Sequence, residues 1–286
     1  MDIDETSNTV TVTHEGTQLL GYRTESPASK PHVDVLGLAP RGDDLDGHNL
    51  VLAAPHDHPW HLGLFFCQKL VDGINCWESE LHAAEGRTHG YARSGSTRTA
   101  DHGNTVTLSQ EASWHSSEGE QLLDDERTLR IRAPNDSGYL LAWEQQLTAL
   151  GSARHLSSET IHGHYSGFSI RLQRELTDGN VRVSTADNPA PENGPRGHWC
   201  DYSGKVDGRY GETEPYWAGV TMIATEQCRW FTMTEPYGFV AANPTWNAVE
   251  TLPADESITW RWGVWVHRGR PRRDEIEGAV ERFRSW

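Results

Sequence analysis

Alternation with a period of two is the feature that most restricts this chain. In residues 9–13, Val10 and Val12 alternate with threonines. Residues 104–112 put Val106, Leu108 and Ala112 on one face. Residues 139–149 put Leu141, Trp143, Leu147 and Ala149 on one face, with Glu144, Gln146 and Thr148 on the other. Near the end, Ile258, Trp260, Trp262, Val264 and Val266 alternate with Thr259, Arg261, Gly263, Trp265 and His267. A chain that repeats this pattern, punctuated by 27 Gly and 14 Pro, reads as antiparallel strands with one buried face. Helical spacing occurs once. After Pro271, Ile276, Val280 and Phe283 fall at i, i+4 and i+7, with acidic residues in the first turns. The expectation is an all-β fold: a large antiparallel β-sandwich in a single domain over 1–286, with a short C-terminal helix at about 272–284. Residues 187–197 (DNPAPENGPRG) read as a surface loop.

Charge narrows the partners. The chain has 286 residues, 41 acidic against 25 basic, and a net charge of −16. Its only lysines are Lys30, Lys69 and Lys205. Nucleic-acid recognition and docking on anionic membranes both need clustered cations, so neither partner is expected. An acidic, lysine-poor surface fits a high-salt, halophilic cytoplasm. No apolar run approaches the length of a membrane span, and the N-terminus lacks a secretory pattern, so a cytoplasmic location is expected. Cys67, Cys76, Cys200 and Cys228 are scattered without a CxxC, which points to buried free thiols. There is no GxGxxG after a strand, no GxxxxGK[ST] and no GxSxG, so nucleotide binding and α/β-hydrolase chemistry are disfavoured.

The most informative stretch is residues 55–78, PHDHPWHLGLFFCQKLVDGINCWE. It holds His56, Asp57, His58 and His61 within six residues, with Pro59 and Trp60 between. Imidazole exchanges protons near neutral pH and is the commonest metal ligand. Trp60 supplies a flat apolar face for a sugar or aromatic ring. Three readings fit: general acid or base on a small molecule, a metal held by His56, His58 and His61, or a structural loop. No cofactor is expected, and a divalent metal at those histidines is the alternative. A second pair, His162 and His164, lies in IHGHYSGFSIRL, followed by Arg171 in apolar surroundings. A buried arginine needs a carboxylate, from the protein or from a substrate. A third cluster, GHWCDYSGKVDG, carries His198, Asp201 and Tyr202. A fourth, EPYGFVAANPTWN, carries Tyr237, Asn243 and Trp246. Rings beside short polar groups suit a carbohydrate cleft, and Asp, Asn and Gly also make ordinary turns.

These blocks resemble a known family. HDHPWHLGLFFCQKLVDGINCWE resembles its HPHHRGLWF…VNGVDFW signature, and GFSIRL, WCDYSGKVDG, YGFVAANP and WGVWVHRG resemble its later blocks in order. The family carries the label PmoA-like, or methane oxygenase PmoA, and resembles in fold the galactose-mutarotase-like supersandwich. Trp60 stands where the family often has His, and Leu62 where it often has Arg. The resemblance implies carbohydrate binding in a cleft. Aldose epimerases of that fold use a His acid and a Glu base. On this basis His58, His61, His162, His164, Asp201 and Glu78 are the catalytic candidates. His56, Trp60, Arg171, His198, Tyr202, Tyr237, Asn243 and Trp246 are the substrate-binding candidates. The expected activity is acid–base chemistry on a sugar (epimerase, lyase or glycoside hydrolase). The alternatives are a non-catalytic carbohydrate-binding module and a His-ligated, metal-dependent oxidoreductase.

Overall fold

The computed structural model describes residues 1–25, 30–78, 89–158, 164–187, 194–207 and 215–286. Its strands are β1 (Asp2–Glu5), β2 (Thr9–His14), β3 (Thr17–Arg23), β4 (His32–Leu36), β5 (Leu64–Cys67), β6 (Leu70–Val71), β7 (Ile74–Asn75), β8 (Gly90–Asp101), β9 (Thr105–Ser116) and β10 (Gln121–Arg132). They continue as β11 (Tyr139–Ala149), β12 (Arg154–Ser157), β13 (Gly167–Arg171), β14 (Asn180–Val183), β15 (Ala186–Asp187), β16 (Arg196–Val206), β17 (Tyr216–Met233), β18 (Phe239–Asn243), β19 (Glu250–Leu252) and β20 (Ser257–Arg268). One helix, α1 (Arg273–Arg284), follows. The fold is all-β and antiparallel, with a C-terminal helix. Strands appear where the period-two patterns predict them. The looplike stretch 187–197 is shorter than predicted at both ends: Asp187 closes β15, Arg196 and Gly197 already belong to β16, and 188–193 lie outside the described residues.

Sixteen strands form one sheet, in the order β1-β2-β3-β4-β5-β13-β18-β17-β20-β11-β10-β9-β8, with β14, β15 and β16 branching from it. A small sheet, β19-β12-β6-β7, stands beside it. The long sheet folds over on itself. Strands far apart in its order touch face to face: Tyr22 on β3 packs edge-on against Trp143 on β11 at 6.3 Å, and the Tyr139 hydroxyl on β11 lies 2.9 Å from the carbonyl of Leu19 on β3. Two layers result, with the apolar faces inward. Phe66, Phe168, Trp143 and Trp262 fill the space between them, and burying such rings supplies most of the driving force.

The outer face of one layer carries two features. Under α1, Leu140, Trp199, Ile223 and Trp265 meet Ile276, Ala279, Val280 and Phe283 in a second apolar cluster. Farther along the same layer, Phe65, Ser169, Arg171, Phe239 and Phe231 take the strand face opposite Phe66 and Phe168, and the three rings remain buried and joined to the main core. The four cysteines are free thiols, three buried and Cys228 half-buried. Among the described residues no helix is long and apolar enough to cross a membrane.

Candidate active site

Residues 54–61 form a compact loop ahead of β5. Ala54 N–H donates to the His61 carbonyl (2.8 Å), His58 N–H to Pro55 (3.1 Å), and His61 N–H to His58 (2.9 Å). Gly63 closes the loop with a positive φ of 74°; a Cβ there would lie 2.3 Å from the Val33 carbonyl oxygen. These turns stack the His58 and His61 rings at 4.8 Å and 14°. β13 pairs with β5, and Arg171 N–H donates to the Gly63 carbonyl (2.8 Å), so Arg171 arrives beside the loop.

Asp57 is the hub. It accepts from Arg171 Nη2 (2.9 Å) and Arg174 Nη2 (2.6 Å), and its Oδ2 is 2.9 Å from His58 Nδ1. Burial alone would raise its pKa; the His58, Arg174 and Arg171 hydrogen bonds outweigh that and hold the carboxyl far below the usual range. Arg171 is fully buried and lies 3.7 Å from the Tyr237 ring. Tyr237 Oη stands 3.5 Å from His58 Nε2 and 3.1 Å from Tyr165 Oη. Burial raises the pKa of both tyrosines. Trp60 meets His58 edge-on at 5.3 Å. Phe239, Trp77 and Tyr165 enclose His61. Lys30 is buried below, donating to the carbonyl of Trp77 and lying 3.5 Å from that of Trp60. Burial lowers its pKa.

The pKa of His61 falls well below the ordinary value because of burial first, then His58 and Arg171. It is neutral at pH 7, with Nδ1 3.5 Å from Arg171 Nη1. A group whose pKa drops on folding contributes stability that is whole above about pH 6.5 and is lost as the pH falls. The melting temperature is expected to decline between about pH 7 and pH 5, and His61→Phe to flatten part of that slope. His32 and His164, likewise depressed by burial, keep the remainder. An unchanged pH profile in the variant would show that His61 does not titrate in this way.

Of the sequence candidates, His58, His61, Trp60, Arg171 and Tyr237 come together, with exposed His56 at the rim, its Nδ1 3.2 Å from Arg174 Nη2. The others do not join them. Asp201 is buried in a separate network with His267 (3.0 Å), Arg182 (2.9 Å) and Thr221 (2.8 Å), next to α1. Tyr202, the next residue, faces the core and donates to the Leu176 carbonyl (2.7 Å). His198 lies in the same strand, its backbone N–H bound to Ser184 Oγ. Glu78 forms an ion pair with Lys69 at 2.7 Å. His164 stacks on Trp246 at 3.6 Å, and Asn243 donates to the His164 carbonyl (3.0 Å). His162 lies outside the described residues. Asp57, Arg174, Tyr165 and Lys30 are the members that the candidate set omits. Asp57 sits inside the histidine run, and Tyr165 and Arg174 flank His164 and Arg171, so the signal was proximity.

Metal ligation by His56, His58 and His61 does not fit this geometry. Imidazole lone pairs lie in the ring plane, and two rings stacked face to face do not aim them at one ion. Among the described residues no group of three or more His, Cys, Asp or Glu is arranged to hold a metal.

An all-β antiparallel fold with a histidine–aspartate–tyrosine cluster on its outer face is thus the class of protein the chain defines. It belongs to a family of unknown function, DUF6807, whose model matches residues 9–281. That match carries no support for the expected PmoA label. No curated protein matches the sequence. Similar solved structures include a polysaccharide lyase (11% identity, TM-score 0.41, 97% of this chain and 35% of that one). Others are a GalM/aldose epimerase homologue from C. elegans (9%, 0.39, 93% and 100%) and a galactose 1-epimerase from Lactobacillus acidophilus NCFM (8%, 0.41, 93% and 97%). The chain spans about a third of the lyase's length.

Proposed function

We propose that the protein moves a proton on a carbohydrate, in an epimerisation or a β-elimination, with His58 as the acid–base group. The observation that carries this reading is the run Asp57–His58–Tyr237–Tyr165. Asp57 occupies Nδ1 of His58, which assigns the N–H to that nitrogen and leaves Nε2 as the proton acceptor. The His58 side chain is half-buried, and its Nε2 stands 3.5 Å from the Tyr237 hydroxyl. The two tyrosines stay protonated and can donate to an oxygen on which charge develops. Trp60 supplies an apolar surface beside them for the C–H face of a sugar ring.

Glycoside hydrolysis fits less well, because it uses two carboxyl groups across the scissile bond. Asp57 is saturated by two arginines and a histidine, Glu78 is paired with Lys69, and Asp201 is elsewhere.

The test screens mono- and oligosaccharides for deuterium uptake from D2O and for unsaturated products. On a substrate so identified, His58→Gln is expected to lower turnover by about 10²–10⁴-fold with the melting temperature kept. Tyr237→Phe should lower kcat with a smaller change in KM. Full turnover in His58→Gln would overturn the assignment.

A further inference from the structure

Lys30 sits where a lysine is least at home. It lies just ahead of β4, only 6% exposed, with its amine 5.5 Å from the centre of the Phe65 ring and 5.4 Å from that of Trp77. The other lysines are placed conventionally: Lys69 is paired with Glu78, and Lys205 is exposed. Among the described residues no carboxylate pairs with Lys30, and its amine meets carbonyl oxygens instead. A methionine would fill the same space without the loss of hydration that a buried amine suffers. What the lysine adds is its N–H donors.

Those donors join two parts of the candidate site. One acceptor is the carbonyl of Trp77, just past β7; the other is that of Trp60, at 3.5 Å. Trp77 packs its ring on Phe65 (5.3 Å) and edge-on against His61 (6.1 Å). Trp60 directly precedes His61 and carries the ring beside His58. The three backbone bonds inside residues 54–61 use the carbonyls of Pro55, His58 and His61, and leave that of Trp60 to the amine. Asp57 fastens the first half of this loop through Arg171 and Arg174. Lys30 fastens the second half, and from a firm base. Its own carbonyl lies 2.9 Å from His32 Nδ1, and β4 pairs with both β3 and β5.

The stacking of His58 on His61 depends on the tight path of the chain between them, and Trp60 is part of that path. A peptide free to rotate at Trp60 would let both imidazoles drift, and an error of about 1 Å at a reacting group costs about 10²-fold in rate. We propose that Lys30 is a positioning residue: by bridging the carbonyls of Trp60 and Trp77 it locks the second half of the histidine loop and so fixes the rings of His58 and His61. It touches no reacting atom. Its effect on turnover rests on the acid–base reading of His58, and the tie itself does not.

The experiment compares the full chain with Lys30→Met, which keeps the length and apolar bulk and removes the donors. Hydrogen exchange reads the loop without any substrate. The amides of His58 and His61 are expected to exchange about tenfold or more faster in the variant, while those of β9, β10 and β11 change by less than about twofold. The melting temperature should move by no more than about 4 °C, because the cost of burying the amine disappears together with its bonds. On a sugar that the wild type turns over, kcat should fall by about 10–100-fold with a smaller change in KM. The inference is overturned if the loop amides are unchanged, if exchange rises equally throughout the protein, or if the loop loosens while turnover stays full. Should Lys30→Met fail to fold, isotope-labelled lysine carries the test in the wild type. The Nζ protons of Lys30 are expected to exchange with water about tenfold or more slower than those of Lys205, and equal rates would overturn the tie. Full turnover in His58→Gln would remove the acid–base reading and leave the exchange result to decide Lys30.

Discussion

Asp57→Ala is expected to lower the proposed activity by about 10²–10⁴-fold and to loosen the fold in the same variant. Arg171 is fully buried, and Asp57 is its carboxylate partner. Removing that partner leaves a guanidinium in a pocket roofed by the Tyr237 ring, with its Nε already lacking a partner among the described residues. Breaking such a pair costs about 3 kcal/mol or more when both ends are buried, and somewhat less here because Asp57 is 27% exposed. Activity falls for a separate reason. Without Asp57, His58 loses the bond that sets its tautomer, and a fall of about 10²–10⁴-fold follows. The depressed pKa of Asp57 gives the pH signature. Its contribution is whole above about pH 4 and is lost as the pH falls below that. Urea melts of wild type and Asp57→Ala at several pH values should therefore converge in acid. A constant gap down to about pH 2 would mean that the carboxylate does not stabilise the fold through its charge.

The largest effect on stability is expected from Asp125→Ala. Asp125 and Arg127 form an ion pair on β10 with both side chains essentially excluded from water. Trp114 Nε1 (2.8 Å) and Gln145 also donate to Asp125, and Arg127 donates to the Pro31 carbonyl (3.2 Å). The pair lies between the two layers, so water cannot replace the lost partner. A loss of about 3–5 kcal/mol is expected, a large share of the total for a chain of this kind. The double variant Asp125→Leu/Arg127→Met should recover much of it, because neither charge is then buried. Denaturant midpoints decide the matter: a loss under about 1 kcal/mol in Asp125→Ala would show that the pair is hydrated.

Much of the scaffold was legible. β11 spans residues 139–149, as the alternation reads: one face meets the core, and the other carries Glu144, Gln146 and Thr148, with Leu140 and Ala142 at its start covered by α1. The helix spacing of Ile276, Val280 and Phe283 likewise places three of the four buried residues of α1. β17 was not legible. Seven consecutive residues from Ala218 are buried on both faces, one under α1 and the other toward the core, so the chain shows no alternation there. The site was half legible. The histidine run marked the loop, and Arg171 announced a need for a carboxylate, but its pairing with Asp57 depends on β5 meeting β13 about a hundred residues later. Lys30 gave no signal, since a single lysine reads as surface. Asp201 misled through its neighbours. His198 and Tyr202 suggested a polar cleft, but adjacent strand residues point to opposite faces. Asp201 faces the side of α1, and Tyr202 faces the core.

The folded-over sheet also sets the timing of assembly. Among the described residues β5 pairs with no strand of the middle of the chain until β13, and the strands of the meander β8–β11 pair with the rest of the large sheet through β20. The two half-sheets face each other across the core, at Tyr22 and Trp143, but their edge-to-edge seam is not closed until residue 268 has been made. Local pairing cannot relieve this, because the seam is formed by the last strand. Slow, late closure follows from such long-range pairing, and the unfinished faces are prone to stick to one another or to other chains.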